Sequence, residues 1–151
     1  MLDREAITTR IAEIRRRRSF LEDFIGVEYE EFAPSAPLDP ALEYYAALNH
    51  IQVALQACID IAKHIIAVKN FERPKEIRDS FSILSRHKII SKDLAEKFMR
   101  ATSVRNILVH GYEDIDPRKI HSIIQNDLPD LERFVDEIGE YLKKEGGEEN
   151  V

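Results

Sequence analysis

Between residues 2 and 25 the apolar side chains Ile7, Ile11, Ile14, Leu21 and Ile25 recur in steps of three, four and seven. Such steps gather them on one stripe of an α-helix, with the other face left to solvent. Arg15, Arg16 and Arg17 fall mostly off that stripe. The segment EYEEFAPSAPLDP follows, with three prolines and four acidic residues, and we read about 26–40 as an acidic, proline-containing loop. From Ala41 to about Val68 the set Tyr45, Leu48, Ile51, Leu55, Cys58, Ile59, Ala62, Ile65 and Ile66 covers more than one stripe, which predicts a central, largely buried helix.

NFERP interrupts this pattern, and Pro74 suits the first turn of a short third helix carrying Ile77, Phe81 and Leu84. Ser91 then caps a fourth helix, in which Leu94, Phe98, Ala101 and Leu108 are in phase and which stops near Gly111. Asp116 followed by Pro117 reads as an N-cap with proline at the first helical position. The fifth helix that they open has Ile120, Ile124, Leu128, Leu131, Val135, Ile138 and Leu142 on its inner face, and Pro129 kinks or briefly breaks it. No alternating strand pattern, hairpin turn or internal repeat is present. The expected class is all-α: an antiparallel helical bundle of four to five helices in a single domain over 1–151, with 145–151 as a disordered tail.

Composition narrows the setting. A chain of 151 residues with 44% hydrophobic and 33% charged residues describes a globular protein. The single cysteine, Cys58, cannot form an internal disulfide, and no charged-then-apolar leader opens the chain, so the expected location is cytoplasmic. Gln52, Gln56, Asp60 and Lys63 interrupt the longest apolar helix, so membrane insertion is not expected. A net charge of −6 argues against a uniformly basic nucleic-acid surface. Charge is unevenly spread, however: residues 86–105 hold Arg86, Lys88, Lys92, Lys97, Arg100 and Arg105 against Asp93 and Glu96. That leaves room for a local basic strip, although solvated helix faces explain the same residues.

The stretch RNILVHGY, residues 105–112, concentrates the candidate chemistry. An Arg and a His five apart are weak evidence alone, since chance gives about 0.4 such pairs in this composition. The plain reading is a helix end, with His110 near the C-terminus and Gly111 closing it. Arg105 resists that reading, because a helical projection puts it at the centre of the stripe of Leu94, Phe98, Ala101 and Leu108. A buried guanidinium is costly unless it meets a carboxylate, another subunit or a bound anion. Positions five apart diverge by about 140° and about 7.5 Å along a regular helix, so Arg105 and His110 do not face one target from it. Either the helix unwinds before His110 or a twofold dimer brings two copies of the motif to one cleft, and the dimer is the favoured remedy. Asn106, one turn before His110, is placed to orient the imidazole or to bind a phosphate oxygen.

RNA strand scission suits Arg, His and Tyr acting without metal ligands. A base deprotonates the ribose 2′-hydroxyl, an acid protonates the leaving oxygen, and a fixed cation stabilises the charge that builds on phosphorus. Imidazole can fill either proton-transfer role, and a guanidinium fork matches phosphate oxygens. His50, His64, His87 and His121 show no zinc spacing with Cys58, so we read them as partly buried or surface histidines and expect neither metal nor cofactor.

Three segments then carry a wider resemblance: YAALNHIQVALQACIDIAKHIIA, LAEKFMRATSVRNILVHGYEDID and DLERFVDEIGEYL. From about Tyr44 to Leu142 the chain resembles the HEPN superfamily, and within it the HepT-like toxins of prokaryotic toxin–antitoxin pairs. The family signature of Arg, four residues, His, one residue and Tyr falls on Arg105, His110 and Tyr112. The resemblance implies a dimeric helical bundle with a metal-independent endoribonuclease centre at the dimer cleft. It also implies an antitoxin partner, a minimal nucleotidyltransferase of the MntA type that moves AMP from ATP to the tyrosine and silences the toxin. On that basis Arg105 contacts the scissile phosphate of the RNA substrate, His110 transfers protons and Tyr112 accepts AMP. Association beyond a dimer is left open. Asp60, inside the long helix, either pairs with Arg105, orients a histidine, or forms an i to i+4 pair with His64 of purely structural value. Two other readings of the chain stand beside the nuclease: a non-catalytic HEPN subunit that binds nucleotide or docks a nucleotidyltransferase, and a structural bundle whose RNILVHGY merely ends a helix.

Overall fold

Asp3 starts the first helix: its carboxylate accepts from the Ala6 N–H at 3.0 Å, satisfying one of the donors left free at a helix N-terminus. The computed structural model describes residues 1–33, 42–110 and 115–146. Within them lie seven helices and no strand: α1 (Arg4–Glu22), α2 (Tyr29–Phe32), α3 (Leu42–Val68), α4 (Asp79–Arg86), α5 (Lys92–His110), α6 (Pro117–Asn126) and α7 (Leu128–Gly146).

Side-chain pairs fix the direction of each long helix. Residues 3, 10 and 17 of the first helical segment meet residues 64, 60 and 49–50 of α3, so these two run antiparallel. Arg4 donates to the Leu142 carbonyl while Arg15 and Arg18 reach Glu132, so α7 is antiparallel to α1 as well. Lys97 meets Asp130 and Asp93 meets Arg133, which sets α5 antiparallel to α7. The result is an up-down-up-down bundle of α1, α3, α5 and α7, as the apolar spacing predicts, with three shorter helices added.

The core joins the apolar stripes. Ile7, Ile11, Ile14 and Leu21 of α1 are buried against the apolar majority of α3. Phe81, Phe98 and Phe134 bring α4, α5 and α7 together, with ring centroids 5.1–6.1 Å apart in tilted and edge-on arrangements. By length and apolar composition alone α3 could cross a membrane. Its four polar interruptions therefore do not exclude a span by themselves; what disposes of its apolar surface here is burial beneath α1, α4 and α5.

Several boundaries differ from expectation for local reasons. The first helix ends at Glu22, and Ile25 lies exposed in the turn beyond it, not on the buried stripe. Gly26 takes φ 83° in that turn, a conformation that glycine adopts without Cβ strain, and its N–H donates to Gln125 Oε1. The acidic segment contains the short α2, anchored by buried Phe32 against Phe24, Tyr44 and His121. Pro74 precedes α4 instead of opening it, because the Asp79 carboxylate collects the N–H groups of Lys75 and Glu76 and holds them in a separate turn. Ser91 does stand just before α5, but its N–H and hydroxyl are engaged by Glu137 of α7. Asp116 and Pro117 open α6 as expected, with the Asp116 carboxylate accepting from Arg118 N–H at 2.9 Å. The break near Pro129 separates α6 from α7 at Asp127. The seventh helix runs to Gly146, two residues into the expected tail; the rest of that tail, 147–151, is outside the described residues.

Candidate active site

Arg105 emerges from α5 toward α3, half-buried. Its Nε and Nη2 both donate to Gln56 Oε1, at 2.9 and 2.6 Å, and its Nη1 donates to Asn106 Oδ1 at 3.1 Å. The Gln56 amide nitrogen donates in turn to Asp60 Oδ1 at 2.9 Å, and Arg10 of α1 lies 3.7 Å from Asp60 Oδ2. Positions 56 and 60 are one helical turn apart, so α3 presents both to the α5 side without any break in its own hydrogen bonding. The relay Arg10–Asp60–Gln56–Arg105–Asn106 therefore links three helices across one face of the bundle.

This arrangement corrects three expectations. The partner of Arg105 is a neutral amide, not a carboxylate, and the spacing of the apolar stripe overstates its burial. Asp60 pairs with neither Arg105 nor His64: its oxygens go to Gln56 and Arg10, while His64 Nε2 accepts the backbone N–H of Asp3. Asn106 gives its amide oxygen to Arg105 and keeps only its nitrogen as a free donor, so it does not orient His110 within this chain. Gln56 was not among the sequence candidates. Nothing in its own segment separates it from Gln52; only the packing of α5 against α3 does so.

His110 is the last residue of α5 and is exposed. The helix continues through it, so local unwinding is not the remedy for its divergence from Arg105. One chain holds the guanidinium against α3 and presents the imidazole elsewhere. Val109, exposed at 46% and one turn after Arg105, adds an uncovered apolar side chain to the Arg105 face. Gly111 and Tyr112 lie outside the described residues.

The remaining histidines are all engaged. His50 stacks on Phe20 at 4.8 Å and faces Arg17 Nη1 at 3.1 Å. Burial, with Arg17 and Arg16 adding to it against Glu13, holds its imidazole below the usual histidine range. His87 is sandwiched between Phe71 and a hydrogen bond to Glu72, and His121 donates to the Val27 carbonyl. Among the described residues no three His, Cys, Asp or Glu side chains stand together as a metal site. Cys58 is buried, which pushes its thiol far up from the usual range and keeps it unreactive.

A cleft of about 340 Å³ opens on a different part of α5, between Phe98, Ala101 and Val104 and the α6–α7 junction at Ile123 and Leu128. Lys97, Arg100 and Lys119 stand at its rim, and none of the sequence candidates lines it. Its walls belong largely to the apolar core, and none of the residues of the Arg105 network lines it.

Comparison with known proteins agrees with the fold. The family described as Ribonuclease HepT-like matches residues 10–138. The mRNA nuclease HepT of Shewanella oneidensis is 28% identical over 134 residues, spanning 89% of this chain and 96% of the relative. The tRNA nuclease HepT of Aphanizomenon flos-aquae is 28% identical over 136 residues, spanning 90% and 89%. A solved structure of the tri-AMPylated Shewanella oneidensis HEPN toxin in complex with MNT antitoxin superposes with a TM-score of 0.75 at 28% identity, covering 91% of this chain and 98% of that one. With the family match running across all four long helices and through the Arg105–His110 segment, the chain belongs to the HepT-like ribonuclease family.

Proposed function

We propose that this protein is a metal-independent endoribonuclease toxin whose active centre is assembled from two copies of the chain. The observation that carries the reading is the held guanidinium of Arg105 on a helix whose far end presents an exposed histidine, in a chain of this family. A twofold pair brings the Arg105 of one subunit and the His110 of the other together in one groove. That imidazole removes the proton of the ribose 2′-hydroxyl. The freed 2′-oxygen attacks the adjacent phosphorus, the bond to the 5′-oxygen breaks, and the imidazole, now protonated, returns the proton to that oxygen. The products are a 2′,3′-cyclic phosphate and a 5′-hydroxyl. Arg105 stabilises the extra negative charge on the phosphoryl oxygens as the fifth bond forms. Protons and charge are thus handled by side chains of the protein alone.

Tyr112, two residues beyond His110, is the acceptor for AMP from a minimal nucleotidyltransferase antitoxin. AMP attached there adds a phosphate and a base beside the groove, and blocks RNA by bulk and like charge. The tri-AMPylated HEPN toxin of Shewanella oneidensis, solved in complex with MNT antitoxin, supports this reading. We place the protein in the cytoplasm, where RNA and ATP meet.

The direct test incubates purified protein with RNA in EDTA and compares wild type with His110→Ala. Cleavage by wild type alone supports the reading; equal cleavage by both removes His110 from the mechanism. The net charge of −6 favours one other reading, a non-catalytic subunit that docks a nucleotidyltransferase or binds nucleotide. That subunit would copurify with the transferase and show no cleavage after the partner is removed.

A further inference from the structure

Gln56 sits where a carboxylate would be expected. A half-buried guanidinium is ordinarily matched by Asp or Glu, and an aspartate, Asp60, is available one turn away on the same face of α3. Yet Arg105 gives two of its N–H groups to a single amide oxygen, and the carboxylate is held one side chain further back. We propose that Gln56 is the positioning residue of Arg105: it fixes the guanidinium through a neutral acceptor, and thereby reserves the positive charge of Arg105 for an RNA phosphate. The proposal rests on the ribonuclease reading above.

Three observations carry it. First, the orientation of the amide is set. An amide side chain can present either its oxygen or its nitrogen, but Gln56 Nε2 donates to Asp60 Oδ1, so the oxygen is left for Arg105. Second, the charge of Asp60 is answered from the other side by Arg10, which lies 3.7 Å from its second oxygen. The two formal charges of that pair offset each other, and Arg105 remains the uncompensated cation of the relay. Third, the donor count leaves a usable fork. A guanidinium has five N–H donors. Gln56 takes two and Asn106 takes one, so one donor remains on each terminal nitrogen, matching bidentate recognition of phosphate.

A direct Glu–Arg pair in this place would hold the side chain equally well, but it would compete with the phosphate for the same charge. A bridge that only ties α3 to α5 would make no such distinction between amide and carboxylate. Gln56→Glu therefore separates a positioning role from a structural one, because the substitution keeps the shape and the acceptor for Arg105 and exchanges the donor to Asp60 for a negative charge.

The experiment uses the full chain as wild type, Gln56→Glu, Gln56→Met and Arg105→Ala. Binding is measured with a fully 2′-O-methylated oligoribonucleotide, which lacks the attacking hydroxyl and so is not cut, across a salt series. Cleavage of unmodified RNA gives kcat and KM. We expect Gln56→Glu to melt near the wild-type temperature, to bind at least tenfold more weakly at low salt, and to show a log K against log salt slope shallower by about 0.7, the loss of one phosphate contact on a single strand. Gln56→Met should keep the wild-type slope and lose kcat, since its arginine is charged but no longer held. Wild-type binding, slope and kcat in either folded Gln56 variant overturn the proposal. Arg105→Ala separates the two levels: if it loses cleavage and the same slope while Gln56→Glu does not, only the Gln56 role falls. If Arg105→Ala cuts and binds as wild type, the ribonuclease site itself is misplaced, and the proposal falls with it.

Discussion

His110 leaves α5 about 140° around the helix axis from Arg105 and about 7.5 Å further along it, and the helix is continuous through both residues. A regular helix does not aim both groups at one phosphate, and on the proposed reading a second copy completes the centre. It follows that activity depends on concentration. On serial dilution of the protein, the cleavage rate per chain should fall once the dimer dissociates, and it should return on adding catalytically dead His110→Ala chains that can still pair through the wild-type Arg105 face. A rate per chain that is constant down to concentrations where sedimentation shows only monomer would contradict this.

Phe134 has no exposed surface and touches Phe98 and Phe81 at centroid distances of 5.1 and 6.1 Å, tying α7 to α5 and α4. Replacing it with alanine leaves a cavity that three helices cannot close together. Phe134→Ala should cost about 3–5 kcal/mol, measured by urea unfolding. A loss below about 1 kcal/mol would mean that the three rings do not form the keystone of this half of the bundle.

The Asp116 cap is a smaller feature, but it is adjacent to the signature segment. Its carboxylate satisfies the Arg118 N–H at the start of α6, and such caps contribute about 1 kcal/mol. Asp116→Ala should lower stability by that amount, with Asp116→Ser recovering most of it. Equal stability of all three proteins would show that the cap contributes nothing.

The fold favours neutral His50. Burial lowers its proton affinity most, Arg17 and Arg16 lower it further, and Glu13 opposes them; Phe20 stacks on its ring. The unfolded chain binds the proton near the ordinary histidine value of about 6.5. Because the unfolded state then carries the extra proton, stability is full above about pH 6.5 and declines as pH falls through that value, levelling off once the folded imidazole is protonated too. The stability difference between wild type and His50→Phe should therefore grow in favour of wild type as pH rises from about 5 to about 7.5. A difference that is flat or of opposite sign would remove His50 as the cause.

What the sequence made legible was whatever depends on period and punctuation. The stripes of α1 and α5, the broad apolar surface of α3, the Asp116–Pro117 start and the Pro129 break all follow from residues close together in the chain. Contacts between distant segments were not legible. Asp60 stands out in the sequence as a carboxylate on an apolar helix, but its partner Arg10 is fifty residues away, and no local pattern joins the two. Gln56 looked like a tolerated polar residue on a helix rich in apolar ones, until α5 placed Arg105 against it. The short α2 was hidden inside an acidic, proline-rich stretch because a single buried aromatic, Phe32, holds it, and one residue makes no period. The signature itself was plain in the sequence, but its geometry was not. The spacing states that Arg105 and His110 diverge; only the unbroken helix removes local unwinding as the way to reunite them.

Subunit mixing tests the shared centre most directly. Arg105→Ala and His110→Ala proteins, each inactive alone, are combined under conditions where subunit exchange is verified with differently tagged chains. In a mixed dimer the arginine of one chain and the histidine of the other restore one complete centre. The account predicts that RNA cleavage reappears in the mixture, at a level set by the fraction of mixed dimers. A mixture as inactive as either parent, with exchange confirmed, would contradict it.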